Sequence, residues 1–220
     1  MKKFLLLIAL CGTSSLIFAQ DLGKMLVSGS LGYNQHKNES GQNVNIPVKT
    51  SNLDVSPKIA FFTSPNLALG ISAGYNRNVY KAATRVYSST EDFEIVDYKG
   101  INNQYSVGPF VRLYKPVANK FAFFGQGSTL YEYSKSKNDL ALSEPTIHKG
   151  GRIDIAPGLV FFPSNIIGIE LTMGSFGYST LKSGNENSGN YQKNSNFYSG
   201  FNLSNSTLGI SFYLGRTASE

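Results

Sequence analysis

Past its first twenty residues the chain contains no cysteine, because its single one is Cys11. A mature chain without it forms neither a disulfide nor a thiolate metal site. Tryptophan is absent altogether and histidine occurs only at positions 36 and 148, so no set of spaced ligands suggests zinc. Charge is sparse, with 20 Lys and Arg against 14 Asp and Glu, and no basic block of the kind that binds nucleic acid. No apolar run after the N-terminal segment approaches the about 20 residues a membrane helix needs. A chain of this kind crosses a membrane, if it does, as strands. What is abundant fits strands too: 22 glycines, 13 tyrosines and 15 phenylalanines.

The first residues read as an export signal. Lys2 and Lys3 precede an apolar stretch from Phe4 to Leu10, and a small residue, Ala19, stands where cleavage is expected. This divides the chain into a signal peptide over 1–19 and one domain over 20–220. Lipid attachment at Cys11 is the competing reading, which the bulky Leu10 before it disfavours. Without Lys2 and Lys3 the formal charge falls from +6 to +4.

From Lys24 onward the residues alternate with a period of two. Val55, Pro57, Ile59 and Phe61 face one way, and Ser56, Lys58 and Ala60 the other. The same phase holds in Tyr105–Tyr114, with Phe110 and Tyr114 as bulky exceptions, and in Ile153–Phe161. It returns after the turns, in Leu67, Leu69, Ile71, Ala73 and Tyr75, in Ile167, Ile169, Leu171 and Met173, and in Leu208, Ile210, Phe212 and Leu214. The first half of that last stretch is out of phase, which predicts a bulge near Ser204 to Ser206. Short connectors at 64–66, 116–119 and 163–165 alternate with long polar ones at 36–49, 81–100, 135–149 and 181–196. Together they predict eight antiparallel strands with four long loops and three tight turns.

Pro57, Pro109 and Pro157 recur about 50 residues apart, each shortly before a short turn. Proline cannot donate to a ladder, so each is expected to mark a local kink.

Alternation alone fits a soluble sandwich as well as a barrel in lipid. Three features favour the barrel. The strands run about 10 to 15 residues, well above the about 5 to 6 usual in soluble sheets. Long and short connectors alternate strictly. Tyr33, Tyr75, Tyr105, Tyr131 and Tyr133 gather toward the long connectors, and Phe61, Phe121, Phe161 and Phe212 toward the short ones, as interfacial girdles do.

On these hairpins, with their Ser-Pro-Lys, Gly-Pro-Phe and Ala-Pro-Gly segments, the chain resembles the small eight-stranded outer-membrane β-barrels of porin-like, Bacteroidota type. The resemblance covers the whole mature chain and implies a closed transmembrane barrel in the cell outer membrane. Its expected partners are outer-membrane lipid and lipopolysaccharide, the barrel-assembly machinery and an extracellular ligand met by the loops. It implies a monomer with no cofactor and no nucleic acid. The end of the chain departs from the pattern, since Phe212 is followed by Tyr213, Leu214 and a polar tail.

An eight-stranded barrel is just wide enough for side chains to fill. Lys58, Arg112 and Glu170 fall on the inward phase at similar distances from their turns, and Asp154 and Gln126 lie above them. Pairing across the lumen would avoid the cost of isolated buried charge and would plug the barrel. The expected role is thus structural, or interaction and adhesion through the loops, with a narrow porin-like channel as the alternative. No enzyme is expected. His148 with Ser143 or Glu144 is the pair a lipid-modifying activity would use, but nothing fixes a nucleophile, base and orienter together. A periplasmic lipocalin-like binder would need an apolar cavity, which the small polar inward phase disfavours. The acidic run Glu91-Asp92-Phe93-Glu94 and the glycines of 184–189 read as solvated loop.

Overall fold

The computed structural model describes residues 22–40, 46–87, 93–139, 145–185, 191–200 and 206–216, and every regular element among them is a strand. The strands are β1 (Met25–Ser40), β2 (Ile46–Ser64), β3 (Leu67–Tyr87), β4 (Phe93–Ala118), β5 (Phe121–Asn138), β6 (Thr146–Phe161), β7 (Ile167–Met173), β8 (Ser175–Asn185), β9 (Tyr191–Gly200) and β10 (Ser206–Leu214). All pair antiparallel in one ten-stranded sheet.

The sheet closes on itself. Pairings run from β1 through β2, β3, β4 and β5 to β6, then from β6 to β7, β10 and back to β1. The result is a ring of eight strand positions, because β7 with β8, and β9 with β10, occupy one position each. Following cross-strand neighbours from Phe161 through Ile169, Ile210 and Gly29 to Pro57, then crossing the gap beside that proline in the unchanged β2–β3 register to Ala73, and on through Val107 and Tyr131, returns to β6 at Gly151, displaced along the strand. That displacement is the stagger of tilted strands that closing a sheet requires. β1 meets β10 over Met25–Gly29, while β9 pairs with β8.

The break between β7 and β8 falls at Gly174, whose φ of 71° is a left-handed conformation that glycine adopts without steric cost. There β6 changes partner, from Gly158↔Thr172 below to Ile155↔Phe176 above, and the register shifts by one residue. A one-residue shift flips the alternation, so Phe176 and Tyr178 continue the outward face that Ile169 and Leu171 began. The corresponding bulge expected near Ser204 lies outside the described residues, apart from Ser206 at the start of β10.

Each proline keeps its pairing on one side, with Gly29, Ile71 and Gly125 opposite Pro57, Pro109 and Pro157. On the other side the ladder is interrupted. It resumes in the same register between Val55↔Tyr75 and Lys58↔Ser72, and between Val107↔Tyr131 and Phe110↔Ser128. A missing N–H thus removes local bonding without displacing the strands, and of these three prolines Pro157 alone accompanies a register shift.

The predicted long loops are a correction. Pairing continues from Tyr33 to Ser40 against Ile46 to Leu53, from Val79 to Tyr87 against Phe93 to Ile101, from Tyr133 to Ser136 against Thr146 to Lys149, and from Leu181 to Gly184 against Tyr191 to Asn194. β4 reaches 26 residues in this way. The physical reason is that polarity in these stretches marks water on both faces of a sheet, not the loss of the sheet. Their Val, Ile, Tyr and Phe content keeps them extended.

Candidate functional site

The alternation places large apolar side chains outside and polar ones inside. Arg112 is fully buried, while its neighbours Val111 and Leu113 are 41% and 59% exposed. Exposed apolar residues occur on every strand of the ring, among them Leu31, Ile59, Ile71, Phe123, Ile155, Ile169 and Ile210. Tyr33, Tyr105 and Tyr131 stand further from the short turns, and Phe61, Phe121 and Phe212 beside them, all exposed.

Inside, the end carrying the short turns is filled. Leu22, Leu26, Ala60, Ala68, Ala122, Val160, Phe162 and Tyr213 are buried together, with Phe62 packed on them. Phe162 meets Tyr213 edge-on at 5.0 Å, and Phe62 lies 5.7 Å from Tyr114. The Arg216 guanidinium covers the Phe162 ring at 4.1 Å, from the chain's C-terminal end. This floor packs that end of the lumen with apolar and aromatic side chains.

Directly above it lies a hydrogen-bonded layer. Arg112 Nη1 donates to Glu170 Oε1 at 2.7 Å and to the Tyr114 hydroxyl at 3.1 Å. Its Nε and Nη2 both donate to Gln126 Oε1, at 3.1 and 2.7 Å. Tyr213 donates to the same Glu170 oxygen at 3.3 Å and shares a 3.2 Å contact with Tyr114, and Gln126 donates to Ser128. The Phe124 ring covers the guanidinium at 4.3 Å. Phe124 has room because its cross-strand partner is Gly158, where an added Cβ would fall 2.2 Å from the ring. Burying a charge costs several kcal/mol, on the order of a whole domain's margin of stability, unless partners satisfy it. Here carboxylate, amide and phenol do so.

Of the five residues singled out from the sequence, Arg112, Glu170 and Gln126 meet in this layer. Lys58 and Asp154 do not join it. Both line a cavity of about 470 Å³ above it, with Gln126, Arg152, Thr172 and Tyr198. Asp154 instead lies 3.1 Å from Arg152, which is 3.3 Å from Glu132. Among the described residues Lys58 makes no ion pair, and Asp54, Asp154 and Glu170 are the acids that act on it from a distance. Sequence reasoning missed Arg152, Glu132, Tyr114 and Tyr213 as partners. Arg152 and Glu132 carry the inward phase of β6 and β5, so extending the alternation further from the turns would have found them.

His148 contacts Ser183 Oγ through Nδ1 at 2.6 Å across β6 and β8. Ser143 and Glu144 lie outside the described residues. Among the described residues no carboxylate is hydrogen-bonded to this imidazole, and no three metal-ligating side chains converge.

Fold and site thus define a closed antiparallel β-ring, oily outside and polar inside, stopped at one end by aromatic and charged side chains. No family model matches the chain, and no curated protein matches it in sequence. Among solved structures it is similar to Ail, the attachment invasion locus protein of Yersinia pestis, alone and in complex with the heparin analogue sucrose octasulfate, at 13% and 14% identity over 86% of this chain and 97% of that one, with a TM-score of 0.37. It is similar also to the outer membrane protease OmpT from Escherichia coli, at 12% identity over 90% of this chain and 99% of that one, with a TM-score of 0.37.

Proposed function

We propose that the chain is an exported, monomeric outer-membrane β-barrel with a side-chain-filled lumen, and that it serves as a structural or interaction protein through the hairpins it projects from the membrane. The observation that carries this reading is the inside-out pattern at Val111, Arg112 and Leu113: a fully buried arginine between two exposed aliphatics. In water that arrangement forfeits the apolar burial that stabilises a fold. In a bilayer the same outward side chains meet hydrocarbon. The apolar stretch of β4 from Leu113 to Tyr105 matches the about 9 to 11 residues a tilted strand needs to cross. Beyond it the strands continue as paired hairpins, which would carry partner contacts on ordered sheet.

A narrow channel is the second reading, supported by the cavity above Gln126 with its Lys58, Arg152 and Asp154 lining. The floor of Tyr114, Tyr213, Phe62 and Phe162 argues against it. Single-channel recording of the refolded protein in a planar bilayer is expected to give a silent baseline. A double Tyr114→Ala, Tyr213→Ala variant is expected to open measurable leak. Discrete steps from the unmodified protein would favour the channel. A lipid-modifying activity draws no support from the His148 and Ser183 contact, since among the described residues no carboxylate is hydrogen-bonded to the imidazole as in a triad.

A further inference from the structure

The hairpins carry an arrangement of charge that neither the lumen nor the oily face uses. Lys37 on β1 is the cross-strand partner of Lys49 on β2, Lys49 of Lys81 on β3, and Lys81 of Lys99 on β4. The row ends just past β5, where the Asp139 N–H donates to the Lys99 carbonyl at 3.1 Å. Alternation places all four lysines on the outward face, in phase with Tyr33, Leu53, Tyr75 and Tyr105 on the same four strands. A second row crosses the other side of the ring, with Lys149 on β6 opposite Lys182 on β8, and Lys182 opposite Lys193 on β9. It is continuous with the tyrosines, since Tyr75, Tyr105, Tyr133 and Lys149 are successive partners. The Lys149 ammonium covers the Tyr191 ring at 4.7 Å.

Like charges directly opposite on a sheet destabilise it, their Cβ atoms being about 4.5 to 5.5 Å apart. Four in succession repel through three such contacts. Around the first row lies a cavity of about 450 Å³, lined by all four lysines with Tyr98, and Asp97 and Asp139 are the acids that line the same cavity as the row. A cationic row with room beside it fits an anion of several charges, and ammonium groups bind phosphate as mobile point charges. Its position names the source. Tyrosines on an outward face mark the membrane interface, and the lysines stand just beyond them, where headgroup phosphates lie.

We infer that the row Lys37, Lys49, Lys81 and Lys99 is a binding site for the phosphate groups of anionic lipid in the leaflet around the hairpins. This rests on the membrane reading above. The test folds the protein into phosphatidylcholine vesicles with and without diphosphorylated lipid A, and measures lipid A retained on the protein by native mass spectrometry. The central Lys49→Gln, Lys81→Gln double variant is expected to retain about thirtyfold less while inserting as well as the unmodified protein. Lys120→Gln, at the opposite end, is expected to change nothing. Equal retention by the double variant would overturn the lysine assignment and leave the membrane reading standing. Release of lipid A by millimolar inorganic phosphate, at unchanged ionic strength, would make this a free-phosphate site and overturn the lipid source. Failure of the unmodified protein to enter either vesicle would overturn the membrane reading and this site with it.

Discussion

Glu170→Ala is expected to cost the fold about 3 to 5 kcal/mol, the penalty for breaking a buried ion pair and leaving one charge uncompensated. Arg112 would lose its 2.7 Å bond to the carboxylate, and Tyr213 its 3.3 Å bond to the same oxygen, while the guanidinium stayed fully buried over Phe124. Gln126 and Tyr114 would still hold the guanidinium, but neither carries opposite charge. The measurement is the urea midpoint of unfolding from phospholipid vesicles. Two comparisons give it meaning. The double variant Arg112→Met, Glu170→Leu removes both charges and is expected to recover most of the loss, because a well-packed apolar pair often replaces a buried ion pair without penalty. Asp154→Asn is expected to cost about 1 kcal/mol or less, because its partner Arg152 is 32% exposed and screened by water. Equal effects from Asp154→Asn and Glu170→Ala would show that the layer above the aromatic floor has no special place in stability.

A second large effect is expected on the outer face. Ile71 is 59% exposed and lies between Ile59 and Pro109 on the neighbouring strands. On a soluble protein, Ile71→Arg at such a site would change stability within about ±0.5 kcal/mol. At the depth of a bilayer midplane it is expected to cost about 2 to 4 kcal/mol. The same substitution at Val79, further along the same face of β3 and near the lysine row, is expected to cost about 0 to 1 kcal/mol. The contrast between the two positions, measured in vesicles, separates lipid contact from a general dislike of arginine in strands.

How much of this could be read from residues alone depended on how one-sided their surroundings are. Where one face meets oil and the other a crowded interior, each residue type has one admissible direction. The alternation around Ile59, Ile71 and Val111 therefore gave strand, face and phase together, and placed Arg112, Glu170 and Gln126 within reach of one another. Where both faces meet water the constraint disappears, and the paired stretches at 36–40, 46–49, 81–87 and 93–100 read as loops. Lys58 and Asp154 share the inward phase with Arg112, but phase fixes a direction and not a depth. The nearer partner of Asp154 proved to be Arg152 on its own strand. The bulge at Gly174 was hidden for a further reason. A glycine on the small polar face looks the same as a glycine that takes a positive φ, and only the outward run of Phe176 and Tyr178 betrays the flip. The lysine rows depend wholly on register, since positions 37, 49, 81 and 99 become neighbours only once the pairing is known.

The central claim is that the oily face of this ring meets lipid. It is tested most directly by electrophoresis of a washed outer-membrane fraction, with boiled and unboiled samples side by side. A compact barrel held by its ladder and by the Arg112 layer is expected to remain folded in detergent until heated, so the unboiled band runs faster. Recovery of the protein in the soluble periplasmic fraction, with no shift on boiling, would contradict the account.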